Sequence, residues 1–97
     1  ERWNMKEGEF LKLKFLKLDT LNIAQWNASA DHLPKLQQLV LRNCRHLEEV
    51  PSGFAAIPTL VMIEMQLCRS SAEESVRILK EEQLGLGIDD LKVLINC

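Results

Sequence analysis

Apolar and polar positions along the chain recur about every two dozen residues. Leu13, Leu36 and Leu60 stand 23 and 24 residues apart, as do Leu16, Leu39 and Ile63, and Leu18, Leu41 and Met65. Three residues before each first leucine come Phe10, Leu33 and Ile57, and three after each third apolar residue come Leu21, Cys44 and Cys68. Trp3, Trp26 and Val50 keep the same spacing. A repeat of this length reads as stacked windings, each burying its apolar side only against its neighbours. The alternation from Phe10 to Leu18 predicts a strand with Leu13, Leu16 and Leu18 inward and Phe15 and Lys17 outward. Leu21 to Ile23 is one residue shorter than Cys44 to Leu47, so the first winding has lost a residue just after its strand.

The fullest unit, Leu36 to Pro51, has the form L-x-x-L-x-L-x-x-C-x-x-L-x-x-V-P, which fits a leucine-rich repeat. The expected fold is therefore an α/β solenoid with short parallel strands on the concave face, irregular convex segments and one C-terminal helix. The tail of one winding occupies 1–9, windings follow at about 10–32, 33–56 and 57–87, and a terminal strand lies in 88–97. Because Trp3 already falls on a repeat position, the chain reads as the C-terminal fragment of a longer solenoid.

After Cys68 the period breaks. Ser70 or Ser71 reads as a cap three residues before Glu73 or Glu74, Val76 and Leu79 form a narrow apolar stripe, and Gly85 and Gly87 are stop signals. A helix from about Ala72 to Leu84 follows, with Glu73–Arg77 and Arg77–Glu81 at ion-pair spacing. Ile88, Leu91 and Leu94 repeat the spacing of Ile57, Leu60 and Ile63, now offset by 31, so Leu91 to Ile95 is read as a fourth strand.

Composition narrows the function by exclusion. Ninety-seven residues, 46% of them hydrophobic, suit one domain, and a net charge of −2 without a basic run argues against a nucleic-acid surface. No signal peptide or membrane-length apolar run is present. Three cysteines cannot all pair among themselves. Cys44 and Cys68 share a repeat position at bridging distance but point the same way, which favours buried free thiols in a reducing compartment. Asn27-Ala28-Ser29 fits a glycosylation sequon without other signs of secretion. Cys44-Arg45-His46 lacks a second pair at zinc spacing, His32 and His46 lack a recognisable nucleophile, and no phosphate loop exists, so no enzyme, metal or cofactor site is expected.

What remains is a surface. In stacked parallel strands the outward residues align as Phe15, Gln38, Met62 and Val93; as Lys17, Val40, Glu64 and Ile95; and as Asp19, Arg42 and Gln66. Asp19 and Arg42 stand as a candidate exposed ion pair. Met62, Val93 and Ile95 either mark a protein-binding patch, or report a shifted register in the last strand, or are covered within a parent protein.

The chain resembles the C-terminal repeats of plant intracellular nucleotide-binding leucine-rich-repeat immune receptors, of the solanaceous late-blight-resistance type with an N-terminal coiled coil. The resemblance rests on Phe10 to Leu18, on Trp26-Asn27-Ala28-Ser29, on Leu39 to Pro51, and on Ser75 to Val93 with its Glu81-Glu82-Gln83 and Asp89-Asp90-Leu91-Lys92-Val93. It implies a cytoplasmic, non-catalytic module of plant defence that recognises a pathogen effector or a host target and restrains a nucleotide switch. It also implies intramolecular contacts to the nucleotide-binding and coiled-coil domains. In such a parent the switch would hold ADP or ATP, and activation would lead to oligomerisation and the hypersensitive response; no residue of this chain is assigned to nucleotide. The alternative is a leucine-rich-repeat substrate adaptor of an F-box ubiquitin ligase. A receptor-kinase ectodomain fits less well, because its N-x-L-x-G-x-I-P pattern is missing around Val50-Pro51-Ser52.

Overall fold

The computed structural model describes residues 2–96; Glu1 and Cys97, the outer ends of the first and last segments, lie outside the described residues. Among the described residues six strands and one α-helix follow in the order β1 (Arg2–Asn4), β2 (Phe15–Asp19), β3 (Gln25–Asn27), β4 (Gln38–Arg42), β5 (Met62–Gln66), α1 (Ser70–Gly85) and β6 (Lys92–Asn96). One parallel sheet has the order β2-β4-β5-β6, and a smaller one pairs β1 with β3. Leu16 pairs with Leu39 and Leu39 with Ile63, while Leu18, Leu41 and Met65 align two residues further on. The periodicity of 23 and 24 residues is thus the register of the larger sheet.

The same local turns recur before and after successive strands of the larger sheet. Leu13, Leu36 and Leu60 each donate a backbone N–H to the residue three before, Phe10, Leu33 and Ile57. At the far end of each strand one residue takes a left-handed conformation: Thr20, Asn43 and Leu67 have φ of 57°, 54° and 55°. Asparagine tolerates that region, whereas a β-branched threonine or a leucine is strained there. The turn is held because each residue still donates its N–H to the neighbouring winding, Thr20 to Arg42 O, Asn43 to Gln66 O and Leu67 to Asn96 O. These turns confine β2 to Phe15–Asp19, shorter than the alternation from Phe10 suggests, since Phe10 to Leu13 is spent on the entry turn.

Inward residues fill the space behind the sheet. Leu39, Leu41, Cys44, Leu47, Ile63 and Met65 are fully buried, while Leu16 on edge strand β2 is half-buried. The return segments are more regular than the sequence leads one to expect. Trp3 and Trp26, in register across β1 and β3, stack with centroids 5.2 Å apart, and Phe54 meets Trp26 edge-on at 5.1 Å. Phe54 lies in a short 3-10 helix, Ser52–Ala56. A side chain at Gly53 would sit 3.3 Å from Ser29 Cα, so the absence of one lets the two return segments approach.

Helix α1 starts earlier than the sequence suggests, and neither serine caps it. Arg69 is the N-cap, and the Ser71 hydroxyl donates instead to Glu48 O at 2.7 Å. Ser75 Oγ accepts from Val50 N–H at 2.9 Å, and Gln83 Nε2 donates to Ala55 O at 3.1 Å. With Ala72, Val76 and Leu79 buried, these bonds dock the helix on the preceding winding. The ion pair formed is Arg77–Glu74 at 3.4 Å rather than either pair expected with Glu73 or Glu81. Gly87, at φ 84°, closes the helix: its N–H reaches Leu84 O and that of Ile88 reaches Gln83 O, a Schellman motif.

Leu39→Asp, which places a carboxylate between Leu16 and Ile63, is expected to cost at least about 3 kcal/mol. Urea denaturation measures this; an unchanged midpoint would show that Leu39 is not in the core.

Candidate functional site

The outer face of the four-stranded sheet carries three rows of side chains. Phe15, Gln38 and Met62 form the first, Lys17, Val40 and Glu64 the second, and Asp19, Arg42 and Gln66 the third, all in direct register. They face out because neighbours on each strand alternate sides, and Leu16, Leu18, Leu39, Leu41, Ile63 and Met65 take the inner side.

The last strand corrects the expected ladders. Met62 pairs with Lys92, Ile63 with Val93, Glu64 with Leu94 and Met65 with Ile95, an offset of 30 rather than 31. Val93 and Ile95 therefore pack inward against the core, and Lys92, Leu94 and Asn96 complete the three outer rows. Leu91 still occupies the buried position matched to Leu60, so the lost residue falls between Leu91 and Val93. Ile88, expected at the position of Ile57, is exposed because the helix-ending turn holds it outside the core. The polar residues Lys92 and Asn96 bracketing Val93-Leu94-Ile95 carried this signal: alternation within the strand was a better guide than counting across the helix.

Electrostatics on this face are largely unsatisfied. Asp19 and Arg42 are register partners, yet the ion pair among the described residues is Arg77–Glu74, and the Asp19 carboxylate accepts instead from the Thr20 hydroxyl at 2.7 Å. The aspartate and the strained turn residue beside it thus hold each other locally.

At the strand ends the thiols point into the protein. Cys44 Sγ donates to Leu18 O at 3.4 Å, and Cys68 Sγ to Leu41 O at 3.6 Å. Both thiols are free, and burial pushes both pKa values upward. Cys68 lines an open cavity of about 390 Å³ with Arg45, Leu67, Arg69 and Glu73. His46 is exposed, whereas His32 Nδ1 accepts from Ser29 N–H at 3.0 Å. No group of three His, Cys, Asp or Glu suited to a metal occurs among the described residues. Among them, too, no helix is long and apolar enough to cross a membrane. The sequon residue Asn27 donates its side-chain amide to Asn4 Oδ1 at 2.7 Å, within the smaller sheet.

Comparison with known proteins places these features in a lineage. No family model matches the chain. Over 82 residues, 84% of its length, it is 43% identical to the putative late blight resistance protein homolog R1B-16 of Solanum demissum. Over the same share it is 42% identical to the homolog R1B-23 and 39% identical to late blight resistance protein R1-A, both from Solanum demissum. The chain spans about 6% of the length of each of these relatives.

Because burial raises the thiol pKa of Cys44, folding favours the neutral thiol. That contribution is complete below the ordinary thiol range and is lost as pH rises through the higher folded value. The denaturation midpoint of the chain is expected to fall in alkali, and to fall less in Cys44→Ala; identical pH profiles would contradict it.

Proposed function

We infer that this chain, which belongs to the late blight resistance protein family, is a segment of a leucine-rich-repeat solenoid whose outer strand face recognises protein in a plant disease-resistance receptor. The observation that carries this reading is the outer face itself: three rows aligned across four parallel strands, with exposed apolar and charged side chains interleaved and the core wholly on the other side. Such a face offers shape, apolar area and unpaired charge, the ingredients of a protein interface.

In this reading Phe15, Lys17, Asp19, Gln38, Val40, Arg42, Met62, Glu64 and Gln66 form the recognition surface. Lys92, Leu94 and Asn96 extend it. Its partner is a pathogen effector or a host protein that the effector modifies, and the same repeats restrain a nucleotide switch elsewhere in the parent. ADP or ATP would be held by that other domain, the parent would act in the cytoplasm, and activation would assemble it into an oligomer. Two unpaired thiols support the reducing compartment this requires. Recognition of this kind needs no catalytic group, and the chain's role is binding. The resistance-protein relatives lend the ubiquitin-ligase alternative no support.

Arg42→Glu reverses the charge at an exposed position in the third row. It is expected to change the stability of the chain by less than about 0.5 kcal/mol while weakening the cell-death response of the parent receptor to a cognate effector. An undiminished response to every cognate effector would contradict the assignment.

A further inference from the structure

Each strand of the larger sheet contributes one apolar residue to the outer face, and successive ones alternate between two rows. Phe15 and Met62 lie in the first row, Val40 and Leu94 in the second. Phe15 is 50% exposed and Leu94 41%, so the band is open at both ends. Strands in a sheet lie about 4.8 Å apart, and outward residues on one strand about 6.7 Å apart. The four side chains therefore trace a zigzag, its later members about 4.8, 9.6 and 14.4 Å across the strands from Phe15.

A helix with a heptad stripe matches this track. Apolar residues at positions 1, 4, 8 and 11 of such a helix rise by about 4.5, 10.5 and 15 Å and alternate sides of the seam. The two series agree to within about 1 Å at every step. An extended segment instead puts same-face side chains in single file at steps of about 6.7 Å. By its fourth residue it overshoots the band by about 6 Å and never alternates.

Charge narrows the occupant further. Lys17 is the register partner of Val40, Lys92 that of Met62, and Arg42 lies one row beyond Val40. None of these cations is in an ion pair among the described residues. Two carboxylates share the face: Glu64 lies within the band, between Val40 and Leu94, and Asp19 lies one row beyond Lys17. Lysines thus flank the band at its two ends, Lys17 beside Val40 and Lys92 beside Met62, and a complementary partner carries carboxylates at those two places. A second copy of this chain does not fit: on α1 the buried stripe is already used, and the exposed large apolar residues are only Ile78 and Leu84, six positions apart.

We propose that the outer face binds an amphipathic helix of a separate protein partner, lying across the strands with a heptad apolar stripe on Phe15, Val40, Met62 and Leu94 and acidic residues against Lys17 and Lys92. The proposal rests on the protein-recognition reading above and adds the conformation and charge of what is recognised.

Two peptides of identical composition test it on the whole chain by fluorescence anisotropy. One is stapled into a helix with leucines at positions 1, 4, 8 and 11 and glutamates between; the other sets its four leucines at alternate positions 1, 3, 5 and 7 among the same number of glutamates to favour an extended form. The helical peptide is expected to bind, and Phe15→Ser and Leu94→Ser each to weaken it at least about fivefold. Both positions are exposed, and circular dichroism of each variant checks that it remains folded. Lys17→Glu should weaken binding as well, and a peptide with lysine in place of the facing glutamates should restore it. Failure of the helical peptide to bind, equal binding of the alternating peptide, or indifference to these substitutions overturns the proposal. If the helical peptide fails while Arg42→Glu still blunts the receptor response, the helical partner is wrong and protein recognition stands. If Arg42→Glu is silent and the partner's binding ignores Phe15 and Leu94 as well, both readings fall.

Discussion

The parallel backbone ladder that holds each strand of the larger sheet in fixed register with the next is the constraint on which the rest of this structure depends. A parallel pair slipped by one residue would turn the inward leucines to solvent and the outer charges into the core. The register is fixed at both ends of every strand. At the start, Lys14 O accepts from both Gln37 and Gln38 N–H, and Gln37 O accepts from both Val61 and Met62 N–H. At the finish, the left-handed residues Thr20, Asn43 and Leu67 turn the chain inward while still donating to the neighbouring winding. Thr59 adds a side-chain tie, its hydroxyl donating to Leu36 O at 2.7 Å.

Once the register is fixed, the two faces acquire separate physics. Behind the sheet, leucine, isoleucine and methionine close a dry core with Cys44 at the turn, and the carbonyls of Leu18 and Arg42 give the thiol somewhere to donate. That environment destabilises the thiolate and keeps the thiol inert. In front, the side chains of the outer rows stand exposed or half-exposed among the described residues, so charge and apolar area meet solvent there. The smaller sheet, with its stacked indoles, and α1, bonded to Val50 and Ala55, both pack along the return segments. Neither adds a residue to the outer rows.

The strand register was legible from spacing alone, because a sequence repeat imposes the same packing problem on each paired strand and the solution recurs at the same positions. The alignment of Leu16, Leu39 and Ile63, the outward set from Phe15 to Gln66, and the pairing of Trp3 with Trp26 all follow from it. What was not legible lies where the repeat stops constraining the chain. The helix cap could not be read from Ser70 or Ser71, since whether a serine caps or reaches a neighbouring carbonyl depends on what lies beside it, here Glu48 O. Likewise the phase of β6 depends on how Gly87 ends the helix, and counting across that turn misplaced Val93 and Ile95 by one residue. The apparent pair of Asp19 and Arg42 shows a third limit: register brings two residues alongside, but local competition from Thr20 decides which bond forms.

The claim that in-register stacking separates a core face from an exposed face is tested most directly by nuclear Overhauser contacts between strands in the isotope-labelled chain. Continuous cross-strand contacts from Leu16 to Leu39, from Leu39 to Ile63 and from Ile63 to Val93 are the expected result. Contacts from Ile63 to Leu94 instead, or none between Leu39 and its two neighbours, would contradict it.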